Sequence, residues 1–210
     1  MIEITQAERD KVSQAVLEAE KHTTGEIVPM IVAQSDDYSG ARWRLAVAGA
    51  LLSGFLAYFF LGYFIDDYDA VWILYAQIPG LYIGYALGNV SVILRPFMLE
   101  EKISEEVNQR ALQAFYEHRL HHTKDRTAIL IMVSLLEHRV EILADAGINE
   151  KVSKETWQGI VSDMIACIKT NDLAEGMCVA VRECGEILAK DFPGQHDNPD
   201  EVCNKLIVED

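Results

Sequence analysis

Six carboxylates of this chain stand where chemistry is easiest to imagine: Glu26, Asp36, Asp37, Asp125, Glu141 and Asp145. Asp36 and Asp37 follow one strand-like apolar run and Asp125 precedes another, and ligands of open α/β sheets gather where strands end. Carboxylates from neighbouring loops are the hard oxygen donors that a divalent cation takes. Asp36, Asp37, Asp125, Glu141 and Asp145 are therefore the candidate metal set. Two observations weigh against it: Arg126 follows Asp125 directly and can neutralise it, and there is no D-x-D-x-D-G loop. Solvated loop acids are the simpler reading.

A second cluster, YEHRLHHTK, holds His118, His121 and His122. His118 and His122 have the i, i+4 spacing that can hold zinc on a helix, but no H-E-x-x-H glutamate and no nearby cysteine completes a ligand set. The dipole at a helix C-terminus favours histidines there without any metal. Ser134 and Cys184 have no identifiable base, and no G-x-S-x-G, P-loop or G-x-G-x-x-G is present. Glu137, His138 and Arg139 read as exposed turn residues. No catalytic residue is assigned.

Elements of two kinds must position these groups. Residues 5–22 form a helix opened by a Thr5/Glu8 capping box and striped by Val12, Val16 and Ala19. GEIVPMIVAQS, residues 25–35, is a strand covered on both faces, with Pro29 marking an edge position or a bulge. A helix follows over 99–120, then the buried strand 127–136, a tight turn, and RVEILA as an antiparallel partner. Ser153 opens a helix carrying Trp157, Ile160, Val161, Met164, Ile165 and Ile168 on one face. Asp172 and Glu175 open a last helix reaching Lys190, before a polar tail. Strand 25–35 and strand 127–136 are expected to join one sheet.

Between those strands the composition changes. Half of the 210 residues are apolar although the formal net charge is −15, and the apolar residues are concentrated. Residues 43–64 hold one charge, Arg44, and residues 71–94 hold none. Each run is long enough to cross a hydrocarbon core roughly 30 Å thick. They read as two membrane spans joined by the turn 65–70, IDDYDA. Arg42, Arg44, Arg95 and Lys102 flank the spans on one side, and the turn has no basic residue. The positive-inside rule then places residues 1–42 and 95–210 in the cytoplasm as one α/β domain, the protein in the cytoplasmic (inner) membrane, and both termini inside. Cys167, Cys178, Cys184 and Cys203 fall on that reducing side without a CxxC and read as small core residues.

Within the spans, Ala46, Ala50 and Gly54 in the first and Gly80, Gly84 and Gly88 in the second repeat every four residues. Small residues at this period let helices approach closely, either the two spans to each other or one copy of the chain to another. Pro79 is expected to kink the second span. With no ionisable residue inside either span, transport has nothing to run on. Clustered basic residues, which nucleic-acid binding needs, are lacking in the acidic part outside.

TTGEIVPMIV, DRTAILIMVSLLEHRVEILADAGINEKV, Trp157 with Ile160-Val161, CGEILAKDFP (184–193) and NPDEVCNKLI (198–207) together resemble the TPM domain family, in its bacterial branch with inserted spans. The resemblance implies a three-layer α/β sandwich, here interrupted by a two-helix transmembrane hairpin, and tethering to a membrane. For some members it implies bound calcium or another divalent ion, or a weak acid phosphatase activity; photosynthetic members are tied to photosystem II repair. The expected protein is thus a membrane-anchored interaction module in membrane-protein maintenance. Its expected partners are the lipid bilayer, membrane or envelope proteins and further copies of itself, with no nucleic acid. A metal-dependent phosphatase is the alternative.

Overall fold

The structure is a computed structural model that describes residues 4–65, 69–170, 172–194, 202 and 204–209. In chain order its elements are α1 (Gln6–Glu20), β1 (Glu26–Val32), α2 (Ser39–Phe64), α3 (Val71–Leu87), α4 (Ser91–Leu94), α5 (Glu100–Glu117), β2 (Ala128–Ser134), β3 (Arg139–Ala144), α6 (Ala146–Asn149), α7 (Lys154–Lys169), α8 (Leu173–Asp191) and β4 (Ile207–Glu209), with single 3-10 turns at Arg95–Phe97 and Leu120–His122. They fall into two compact units, residues 1–35 with 105–210, and residues 36–104.

The first unit is built on a four-stranded sheet in the order β3-β2-β1-β4. β1 and β2 run parallel, Glu26 opposite Ala128 through Val32 opposite Ser134, and β3 returns antiparallel to β2. Every residue of β1 and β2 is buried, as expected of parallel strands covered on both faces. One face presents Ile27, Ile31, Ile129, Ile131 and Val133 to α1, α7 and α8, whose Val12, Val16, Met164, Met177 and Leu188 complete the main core. The other face carries Val28, Met30, Leu130 and Met132, and α5 covers it, with Asn108 and Arg110 reaching the two outermost strands. Helices, sheet and helix make three layers.

Local signals set the helix starts. The Thr5/Glu8 capping box is formed at α1, and Asp172 accepts from the Glu175 amide at 2.7 Å to open α8. Ser153 stands at the N-cap of α7 without making a cap bond to the backbone.

Pro29 is in neither a bulge nor an edge strand, because β4 makes β1 an inner strand. Alternate amides of β1 point away from β2, and on that side β4 pairs only from Met30 onward. Pro29 therefore lies just short of β4, where no ladder donor is required. Two residues earlier, the Ile27 amide is satisfied by the Glu20 carboxylate at 2.8 Å. β4 itself lies within the stretch read from sequence as polar tail; Cys203 and residues 195–201 of that tail lie outside the described residues.

The second unit holds α2 and α3. α2, of 26 residues, is long and apolar enough to cross a membrane. The second apolar run is not one helix over 71–94. α3 has 17 residues, and the chain then bends by 110° before residues 91–97. Pro79 is accommodated within continuous helix, and the break comes at Gly88-Asn89-Val90, where Val90 is extended. Of the turn between the helices, Asp66, Asp67 and Tyr68 lie outside the described residues. The two helices meet through small residues: a Cβ on Gly80 would lie 2.5 Å from the Gly49 carbonyl oxygen, and one on Gly84 would lie 2.4 Å from that of Leu45. Ala46 is fully buried there, Gly54 meets Gln77, and Gly88 lies against the Arg42 stem. Ala50 is half-buried. The seam on α2 thus includes Gly49 and Ser53, which lie between the members of the four-residue stripe.

Candidate functional site

The candidate acids fall into separate groups. Asp36 and Asp37 open the second unit, where Asp36 accepts the Tyr38 amide at 2.9 Å. The chain leaves the sheet for that unit at Ser35, beyond the carboxyl end of β1. Asp125 and Asp145 border the opposite end, before β2 and after β3. The strands between span seven residues, about 20 Å.

At that second end, Asp145 is buried and bonded through both oxygens. One carboxylate oxygen caps α6 by accepting the Ala146 amide at 2.7 Å, and the other accepts from Arg126 Nε at 2.8 Å. The bond to Asp145 raises the Arg126 pKa further above its ordinary value. Arg126 therefore answers Asp145 rather than its chain neighbour Asp125, which is exposed. Arg126 itself is left-handed, φ 56°, and Gly147 packs so closely that a Cβ would lie 2.8 Å from the carbonyl oxygens of both Asp125 and Arg126. Only glycine fits there.

Glu141 sits elsewhere, under α5, where Asn108 Nδ2 donates to it at 3.3 Å. Burial pushes its carboxyl above the ordinary value. On the other outer strand, Glu209 accepts from Arg110 and lies 3.6 Å from His118 Nε2, while Arg110 also reaches Glu117 at 3.3 Å. Glu26 is buried on the same face of the sheet.

A further acid is found at the carboxyl end of the sheet. Glu137, expected as an exposed turn residue, is almost completely buried. It accepts from Ser134 Oγ and, at 2.7 Å, from the Ser35 amide, while Ser35 Oγ donates to Ser134 Oγ at 3.0 Å. The turn after β2 folds back because His138 adopts φ 53°, and this brings Glu137 inward. A hydroxyl so enclosed is no nucleophile; the arrangement fastens the end of β1 to the β2–β3 turn.

The histidines do not converge. His118 faces Glu209, whereas His121 packs against Tyr116 and His122 with ring centroids 4.8 and 4.3 Å apart. Cys178 and Cys184 are free and buried, and burial raises the Cys184 thiol far beyond reactive range. Among the described residues, no three histidine, cysteine or carboxylate side chains come together as a metal site. The donor set does not fit the divalent ion implied by the resemblance, since the candidate acids do not converge and the charge of Asp145 is already paired with Arg126.

The first unit also has an open groove of about 560 Å³ along the seam of α1 and α8. Ala15, Ala19, Gly185 and Ala189 line it. Lys11 and Arg182 converge on Glu175 at its rim, at 2.8 and 2.6 Å. These two partners hold the Glu175 carboxyl below its ordinary range, Lys11 contributing most.

A four-stranded mixed sheet with helices on both faces defines the class. The NMR structure of the BA42 protein from the psychrophilic bacterium Bizionia argentinensis superposes on it with a TM-score of 0.61 at 20% identity, covering 99% of this chain and 98% of that one; at that identity the likeness is one of fold. Residues 93–187 match the sequence model of the TPM domain. No curated protein matches the chain at a significant level.

Proposed function

We propose that this protein is a membrane-anchored TPM-domain protein: α2 and α3 cross the cytoplasmic membrane as a hairpin, and the sheet domain is a binding module for membrane or envelope proteins. The observation that carries the reading is the surface of α2. Trp43 and Tyr63 are 55% and 83% exposed, with Leu51, Leu52, Phe55, Leu56 and Phe59 exposed between them. The twenty-one residues of helix from Trp43 to Tyr63 span about 30 Å, the thickness of a hydrocarbon core, and aromatic residues favour its two edges. In water such a surface is an aggregation liability; in lipid it is satisfied. α3, at 17 residues, is at the short end of what can cross.

Alkaline carbonate should leave the protein in the membrane pellet, and a membrane-impermeant thiol reagent applied from outside should miss cysteines placed at either terminus. Release by carbonate, or labelling of only one terminus, would remove the hairpin. Affinity capture from gently solubilised membranes tests the binding module, with a reproducible membrane partner or a defined oligomer as the expected result. Recovery of neither counts against it. The alternative, a metal-dependent phosphatase using the strand-end acids, requires Asp37→Ala and Asp125→Ala to abolish divalent-stimulated hydrolysis of a phosphomonoester. On the reading preferred here, neither changes the rate.

A further inference from the structure

Residues 88–99 follow an unusual course for the exit of a membrane helix. α3 ends at Leu87, and the segment 91–97 leaves at 110° to it. If α3 stands along the membrane normal, that segment lies within about 20° of the membrane plane, as interfacial helices do. Its inner side is seated, with Leu94 and Met98 buried, and Arg44 Nη1 donates to the Phe97 carbonyl at 2.6 Å. Its outer side is apolar and uncovered: Val92 is 83% exposed, and Val90 and Leu99 are exposed as well.

Three arginines border this elbow. The Arg42 stem packs on Gly88, Arg44 reaches Phe97, and Arg95 lies within the segment and is exposed. The Arg42 Nε–H is buried without a hydrogen-bond partner. Trp43 packs against Tyr85 in a tilted pair at the same end of the helix pair, with centroids 5.4 Å apart, as an aromatic pair at headgroup level does. The acids of this end, Asp36, Asp37, Glu100 and Glu101, lie farther along the chain from the apolar runs than the arginines do.

Building on the hairpin reading, we propose that residues 88–99 form an interfacial elbow whose arginines, Arg42, Arg44 and Arg95, bind the phosphate of an anionic phospholipid. Guanidinium forks match phosphate oxygens, and Val90, Val92 and Leu99 enter the acyl boundary beside them.

The test uses the full chain in nanodiscs of equal phosphatidylglycerol and phosphatidylcholine, with retained lipids counted by native mass spectrometry. Wild type is expected to favour phosphatidylglycerol. Arg42→Gln, Arg44→Gln and Arg95→Gln should each lower the ratio about fivefold, the usual weight of one basic residue at an anionic surface, and together bring it to about one. Arg42→Lys keeps the charge and the stem over Gly88 but not the fork, so the ratio should fall less than in Arg42→Gln. Excess glycerophosphoglycerol, the headgroup without acyl chains, should displace nothing. Equal retention by wild type, an unchanged ratio in the triple variant, displacement by the soluble headgroup, or a dimer through this face whatever the lipid would each overturn the proposal. Carbonate extraction separates the two readings: a protein that resists it but shows no preference loses the elbow alone, and one that washes off loses the hairpin too.

Discussion

Asp145 holds the first turn of α6 with one oxygen and Arg126 with the other. Removing it should cost both, so Asp145→Ala is expected to lower stability by about 1–2 kcal/mol, the scale of a lost cap with a buried acceptor. Arg126→Ala should cost less, because its guanidinium is half-exposed and screened. Urea midpoints compare the two. Glu141 behaves differently. Its folded pKa is raised by burial above the ordinary 4.5, so the protonated form is the one the fold prefers. The stability linked to it is present below pH 4.5 and is lost as pH rises through the folded value. Glu141→Gln, which still accepts from Asn108, should raise Tm at pH 7 and match wild type below pH 4.5; an equal gain at both would remove burial as the cause. Sequence brought Asp145 and Glu141 into view as acids near strands, but not what they touch. Adjacency is all a sequence shows, and it pairs Arg126 with Asp125, whereas the left-handed turn at Arg126 sends its side chain elsewhere. Glu137 reads as an exposed turn residue for a like reason, since His138 turns it inward, and Glu209 ends a three-residue strand too short to announce itself.

Elements were legible where the signal is local. The capping box at Thr5 and the N-cap at Asp172 rest on residues three apart, although Glu175 turns to Lys11 and Arg182 instead of closing a second box, and the buried strands β1 and β2 are continuous apolar runs, so these starts and strands could be read directly. The end of α3 was not, because Val90 to Leu94 remain apolar after the helix has stopped; hydrophobicity continues where backbone direction does not. The helix seam shows the same limit. Glycines at four-residue spacing signalled close packing, but Gly49 and Ser53 enter it because two helices also mesh at three-residue steps. At Gly80 a new Cβ would meet the Gly49 carbonyl and Ser53 Oγ. Gly80→Val is therefore expected to separate α2 from α3 and cost about 1–3 kcal/mol, seen as an earlier melt in detergent, whereas Gly62→Val, with nothing within 4 Å, should melt like wild type. In the sheet, Glu20→Ala leaves the Ile27 amide without its acceptor and is expected to cost about 1–3 kcal/mol.

At the scale of the molecule, the sheet is assembled from two distant stretches of chain, with β1 ending at Val32 and β2 beginning at Ala128. If the first unit is self-sufficient, a chain with Ser35 joined to Glu105 by a flexible linker should be soluble without detergent and unfold in one cooperative step. Aggregation of that chain would mean the sheet depends on the residues removed. The same separation governs how the protein is made. When β1 leaves the ribosome, neither strand that will flank it exists, and about a hundred residues, including the greasiest of the chain, must be translated first. At ~5–20 residues per second that is on the order of ten seconds. Throughout that wait seven buried positions of the finished fold stand bare, so the nascent chain should depend on a holdase more than its modest size suggests.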